Sequence, residues 1–156
     1  LMAGCVEGLI DAQGASISFR EEGATSWEVT AEVTDLPMPD STRPVDDVTT
    51  VDSKFKKKAT AGAIDNGALA LEFLQISGSD QQAKLRDYYN KGKCLEWKIE
   101  LNDEAKTSYE FCASMSKFTV VRAADKKNRV QTQLEISGEV VVKENDVVVV
   151  VPPVTP

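Results

Sequence analysis

Polar and apolar residues alternate along much of this chain, and in one stretch the spacing changes to that of a helix. Gly14 to Arg20 sets Ile17 and Phe19 against Ser16, Ser18 and Arg20, which predicts a short half-buried strand. After a turn from Glu21 to Thr25, Ser26 to Val33 returns as a second strand. Trp27, Val29, Ala31 and Val33 share its apolar face, and Glu28, Thr30 and Glu32 its polar one. Ala68 to Ile76 is apolar on both faces, as expected of a strand covered on both sides. Ser79-Asp80-Gln81-Gln82 then has the form of a capping box, in which Ser79 bonds the Gln82 amide and the Gln82 side chain reaches back. Leu85, Tyr88 and Tyr89 form one helical stripe, Asp87 and Lys91 stand four apart, and Gly92 supplies a left-handed stop. From Cys94 the alternation is strict, with Leu95, Trp97, Ile99 and Leu101 inward and Glu96, Lys98 and Glu100 outward.

Two more strands follow, Thr107 to Arg122 and Arg129 to Val142, each preceded by a turn. In the second, Val130, Thr132, Leu134, Ile136 and Val140 face one way; Gln131, Gln133, Glu135, Ser137 and Glu139 face the other. A long strand with a clean polar face keeps that face in water. Regular periodicity is lost from about Asp35 to Gly67, where Pro37, Pro39 and Pro44 interrupt any element. Charge is sorted along this loop: Asp35, Asp40, Asp46, Asp47 and Asp52 come first, and Lys54, Lys56, Lys57 and Lys58 follow. A solvated loop accounts for it, as does an arm that meets other subunits. The tail from about residue 143 to 156 carries Val147, Val148, Val149, Val150 and Val151 in a row, then prolines. The fold expected is mainly β: a sandwich or curled antiparallel sheet with one flanking helix and a long loop, in a single domain over residues 1–156.

Composition narrows the function more by exclusion than by indication. The 156 residues carry a net charge of −7, which favours solubility and opposes nucleic-acid binding by the chain as a whole. There is no histidine, so the commonest general base and metal ligand are both missing. Cys5, Cys94 and Cys112 lack CxxC spacing and are expected to be buried free thiols, with no metal or other cofactor. Acid pairs such as Glu21-Glu22 and Asp46-Asp47 are neighbours in turns, without the apolar surroundings that raise a catalytic carboxyl. Phosphate-binding and nucleophile motifs are lacking, as are a secretory signal and a run long enough to span a membrane. The start at Leu1-Met2 reads as a beginning that is missing or altered. An enzyme is not expected. Unaided, the residues point to a β-rich protein that associates with itself.

The order of elements from the polar loop through residues 59–101 into a long hairpin resembles the tail tube (major tail) proteins of lambda-type, long-tailed, non-contractile bacteriophages. The resemblance covers about Ser16 to Val142 and rests on that order and on Gln82, Leu85, Tyr88-Tyr89-Asn90, Gly92 and Trp97-Lys98-Ile99. It implies a structural virion protein in the tail, assembled in the host bacterial cytoplasm. Six copies would form a ring barrel, and rings would stack into a tube around a tape-measure protein, begun on a tail-tip initiator and closed by a terminator. DNA would pass through the lumen without specific binding. Glu28, Glu32, Gln131, Gln133, Glu135 and Glu139 are the candidates for the lumen, with negative charge expected to repel DNA. Asp46, Asp47, Asp52, Lys54, Lys56, Lys57 and Lys58 are candidates for contacts between subunits, as are the tail valines. The immunoglobulin-like domain that ends the lambda protein has no counterpart up to Pro156, so no decoration role is expected. Two alternatives are a ring-forming tube protein of a type VI secretion or related injection system, and a monomeric β-sandwich binding module. The second needs exposed aromatics, and Trp27 and Trp97 are both expected on apolar faces.

Overall fold

The computed structural model of the chain describes residue 9 and residues 11–149. In chain order its elements are β1 (Asp11–Glu21), β2 (Glu28–Val29), β3 (Val33–Asp35), β4 (Val45–Asp47), β5 (Lys58–Thr60), β6 (Ala68–Leu74), α1 (Asp80–Lys91), β7 (Cys94–Asn102), β8 (Ser108–Val121), β9 (Arg129–Glu144) and β10 (Val147–Val148). One antiparallel sheet runs β2-β1-β7-β8-β9-β6-β3, with β10 added to β9, and β4 pairs with β5 apart from it.

The curl of this sheet begins in its longest hairpin. Strands β8 and β9 hold 14 and 16 residues, a length of roughly 45–50 Å at about 3.3 Å per residue. Their register slips between Glu110 and Cys112, where Gly138 adopts a φ of 86°, and again between Met115 and Lys117. Such bulges bend a strand and sharpen its twist. One half of the hairpin consequently carries β7, β1 and β2, and the other half carries β6 and β3. A similar slip in β1 lies at Gly14, whose φ is 87° and where a Cβ would stand 2.7 Å from the Asn102 amide nitrogen.

Closure comes from a short crossing. The chain leaves β2 at Val29 on one edge of the sheet and enters β3 at Val33 on the other. Four residue steps reach at most about 14 Å, so the two edges must lie close together. The Thr30 amide donates to the Ile17 carbonyl at 2.8 Å, and the Leu74 amide donates to the Glu32 carbonyl at 2.9 Å. The single strand expected from Ser26 to Val33 is therefore broken, because its middle bridges two edges instead of pairing along one. Glu32 takes the left-handed backbone (φ 56°) that the bend requires.

Inside the curl, Ile17, Phe19, Leu95, Trp97 and Ile99 from one half meet Leu69, Leu71, Phe73, Val130 and Leu134 from the other. Trp97 is fully buried; its ring lies 5.6 Å from that of Phe19, and its indole N–H donates to the Ala113 carbonyl. The strict alternation expected of β7 is present. Strand β6 differs from expectation: Leu69, Leu71 and Phe73 point inward, but Ala68 and Ala70 are exposed, so only one of its faces is covered. Helix α1 closes the open end, burying Leu85 and Tyr88 and stacking Tyr89 on Phe118. Ser79 accepts from the Gln82 amide and Gly92 caps the C-terminus as expected. The Gln82 side chain, however, binds the Leu74 carbonyl and the Ile76 amide, tying the helix to β6 rather than to its own cap. Burial, and next the hydrogen bond to Glu21, push the Tyr88 hydroxyl up to about 12.

Truncating Trp97 to Ala removes the largest side chain of the core and should cost roughly 3–5 kcal/mol. Urea unfolding of the unassembled subunit measures this; a loss under about 1 kcal/mol would show that the two halves hold together without it.

Candidate functional site

Three surfaces lie outside the core: a polar strip, an arm and a set of open strand edges. Across the strip, Gln131 of β9 stands opposite Glu72 of β6 and Thr119 of β8, and Gln133 stands opposite Ala70 and Lys117. The Gln131 side-chain amide donates to Glu72 at 3.0 Å, Thr34 donates to the same carboxylate, and Arg129 lies 3.4 Å from it. These bonds, that from Gln131 first, hold the Glu72 carboxyl below its ordinary range. Glu135 accepts from Ser116 at 3.0 Å and from Gln133 at 3.1 Å. The charged residues here are Asp35, Glu72 and Glu135 with Lys117 and Arg129, so the strip is polar and mixed in charge.

The structure brings Gln131, Gln133 and Glu135 together and leaves the other three lumen candidates elsewhere. Glu28 pairs in register with the inward-facing Phe19 and makes a 2.8 Å ion pair with Lys84 of α1, so it lies on the helix side. Glu32 sits in the crossing between the edges, exposed. Glu139 lies beyond the bulge at Gly138, beside a cavity of about 190 Å³ formed with Trp27, Glu110 and Cys112. Trp27 also departs from expectation. Arg20 lies 4.1 Å and Lys98 5.1 Å from its ring centre, which puts it on the polar side of β1 and β7. A strand only two residues long cannot carry its alternation as far as Trp27, so the sequence pattern misplaces both Trp27 and Glu28.

The loop from Asp35 to Gly67 is an ordered arm. Thr42 and Asp65 exchange both backbone hydrogen bonds at its base, and β4 pairs with β5 above them. The Thr49 hydroxyl accepts from the Lys57 amide at 2.9 Å and donates to Asp47, which also accepts from the Thr49 amide. Those bonds, that from the hydroxyl first, lower the Asp47 carboxyl below its ordinary 3.8. Acid and base are not segregated, because Asp47 stands opposite Lys58 across the hairpin. Yet among the described residues none of Asp46, Asp47, Asp52, Lys54, Lys56, Lys57 or Lys58 is in an ion pair. Val51 and Phe55 are 104% and 82% exposed at the tip.

Among the described residues, strand edges remain open at both ends of the sheet. Pairing with β2 covers only Ser18 and Phe19 of β1, and pairing with β3 covers only Glu72 and Phe73 of β6. Val147 and Val148 pair with Glu144 and Lys143, and the Val149 amide reaches the Val142 carbonyl. All three valines are exposed. Val150 and Val151 lie outside the described residues, as does Cys5. Of the other thiols, Cys94 is exposed and Cys112 half-buried, which corrects the expectation of burial; both stand above their ordinary value through partial desolvation. Among the described residues no group of three His, Cys, Asp or Glu is placed to hold a metal, and no helix is long and apolar enough to cross a membrane.

An almost closed β subunit with open edges and a projecting arm belongs to the class of proteins built to associate. Residues 12–140 match the family described as lambda phage tail tube protein, TTP, and the chain belongs to that family. No curated protein matches it. Its fold is similar to that of the SPP1 tail tube, with a TM-score of 0.70 at 13% identity over 87% of this chain and 80% of that one. It is also similar to the tail of an empty gene transfer agent particle refined with C6 symmetry (TM-score 0.68, 10% identity, 83% and 96% covered). A third similar structure is titled as the sheath/tube terminator of an extracellular contractile injection system, PVC (TM-score 0.68, 13% identity, 89% and 99% covered).

Replacing Thr49 by Val should loosen the arm without unfolding the subunit. Faster amide exchange is expected from Val45 to Thr60, with global stability unchanged within about 0.5 kcal/mol. Because Asp47 is lowered in the folded arm, its ordering contribution is present above pH 3.8 and is lost as the pH falls through the folded value. Acidification of the wild-type protein should give the same loosening, and unchanged exchange in both cases would mean that other bonds order the arm.

Proposed function

We propose that six copies of this chain form a ring, and that rings stack into the tail tube of a long-tailed bacteriophage, through which the genome leaves the particle. Family membership selects the phage tail, since the fold alone is shared with an injection-system part. One observation carries the assembly mode: among the described residues a single curled sheet has unpaired edge at both ends, at β1 before Ile17 and at β6 before Glu72. Open edges of this kind seek partners, and a closed ring removes them. The tube would be laid down in the host cytoplasm on a tail-tip initiator, around a tape-measure protein, and be closed by a terminator. No catalytic role or cofactor enters this reading.

Two surfaces are given roles. Gln131, Gln133 and Glu135 line the lumen, where a polar wall of mixed charge gives DNA phosphates little to bind. The arm reaches a neighbouring copy, and the uncovered valines of β10 are covered there. A two-stranded hairpin is marginal alone, which is the reason to expect the arm to be held by a second subunit.

Reversing Lys56 and Lys57 to Glu should block tube formation and leave the monomer folded. One exposed pair contributes about 0.2–1 kcal/mol, but contacts repeated along a tube add up. Electron microscopy with seeding by tail tips gives the answer, and normal tubes would return the arm to solvent. Changing Gln131 and Gln133 together to Lys should leave tubes of normal appearance that deliver DNA slowly, the defect easing as salt rises. Unchanged delivery in such particles would move the lumen to another face.

A further inference from the structure

The arm ends in an apolar knob. Phe55 and Val51 stand almost wholly in solvent, among four lysines, Lys54, Lys56, Lys57 and Lys58. An exposed aromatic ring on a hairpin without a core of its own marks a contact made with something else. Elsewhere on the subunit, on the polar side of β1, β7 and β8, lies the cavity of about 190 Å³. Its apolar wall is Trp27, Phe111, Cys112 and Val141. Its acidic rim is Glu96, Glu110 and Glu139. Arg20 binds Glu96 and Lys143 binds Glu110, and among the described residues Glu139 is in no ion pair. An apolar cavity of about 150 Å³ holds a benzene molecule, so this one has room for a phenyl ring. The wall offers Trp27 and Val141 as apolar surface, with Arg20 4.1 Å from the Trp27 ring centre, and the rim offers the Glu139 carboxylate, matching a phenyl ring flanked by ammonium groups.

We propose that Phe55 of one copy seats in the Trp27–Phe111–Val141 cavity of the next copy, with the arm lysines turned toward Glu139. This rests on the reading of the chain as a tube subunit. It takes Glu139 away from the lumen, and it makes Phe55 the anchor and the lysines its guides. Phe55 does not fill the cavity of its own chain, because it is 82% exposed there. The occupant is therefore a second copy.

Cys112 in the cavity wall makes the contact measurable. The experiment uses the full chain with Cys5 and Cys94 changed to Ser and Phe55→Cys added, assembled into tubes. Copper phenanthroline with dissolved oxygen then removes two electrons and two protons from the facing thiols as the S–S bond forms, the oxygen being reduced. Non-reducing gels are expected to show ladders of covalent multimers, which vanish when Cys112 is also changed to Ser. Ladders that persist without Cys112, or none in well-formed tubes, would overturn the proposal. As a second measurement without cysteine chemistry, Phe55→Ala should raise the subunit concentration needed for tube growth roughly tenfold or more, and Phe55→Leu less. If Phe55→Ala assembles like wild type while the lysine reversal does not, the arm contact stands and the cavity is not its receiver. If the wild-type chain forms neither rings nor tubes, the tube reading itself fails.

Discussion

The structure depends on a five-residue strap. Between Val29 on one edge of the sheet and Val33 on the other, three residues span the seam, and backbone bonds pin both ends of the crossing to β1 and β6. A sheet of long strands twists and coils, but twist alone leaves it open. The strap forces the edges together and so encloses Trp97, Phe73 and Leu134 between the halves. Helix α1 reinforces it from inside the open end: Gln81 donates to the Val29 carbonyl and accepts from the Ala31 amide, and Lys84 holds Glu28. The left-handed backbone at Glu32 costs on the order of 1 kcal/mol, and the enclosed core offsets it many times over.

Closure of this kind is incomplete by construction. Since the strap pairs with only a few residues on each side, the rest of β1 and β6 keeps free backbone groups along its outer edge among the described residues. Those groups are tolerable in water and become an advantage when another copy supplies the missing strand. The arm follows the same logic. Its side-chain bonds from Thr49 define a shape, but beyond Leu36 at its base the apolar residues of its hairpin, Val45, Val48, Val51 and Phe55, are exposed. The body is self-sufficient and the projections are not, which is what a subunit needs if it is to fold alone and assemble later.

How legible this was from the sequence varied with the length over which a pattern could repeat. Nine residues of β7 alternate without interruption, and their inward and outward faces follow directly. The stop at Gly92 and the ion pair between Asp87 and Lys91 are local and equally readable. The alternation from Ser26 to Val33 reads just as well as one strand, yet it is wrong, because a left-handed backbone at a glutamate leaves no mark in the sequence. The arm reads as irregular for the opposite reason: β4 and β5 are three residues each, too short for periodicity, and are held by a threonine side chain. Within the polar strip, Gln131, Gln133 and Glu135 were readable from β9 itself. Lys117 and Glu72 were not, since a bulge sets the register of one and the other sits in a run that reads as apolar.

Charge illustrates why position outweighs total. A net charge of −7 per chain suggests a repulsive wall toward DNA, and that was the expectation from composition. On the strip itself Asp35, Glu72 and Glu135 stand among Lys117 and Arg129. Screening confines the influence of an exposed charge to about 8–10 Å at physiological salt, so groups on the outer side of the subunit contribute little to what a passing phosphate feels. If the strip faces the lumen, DNA meets amides, hydroxyls and carboxylates interspersed with Lys117 and Arg129. Such a surface neither holds the phosphates nor drives them off, and a moving polymer meets no deep well along its path.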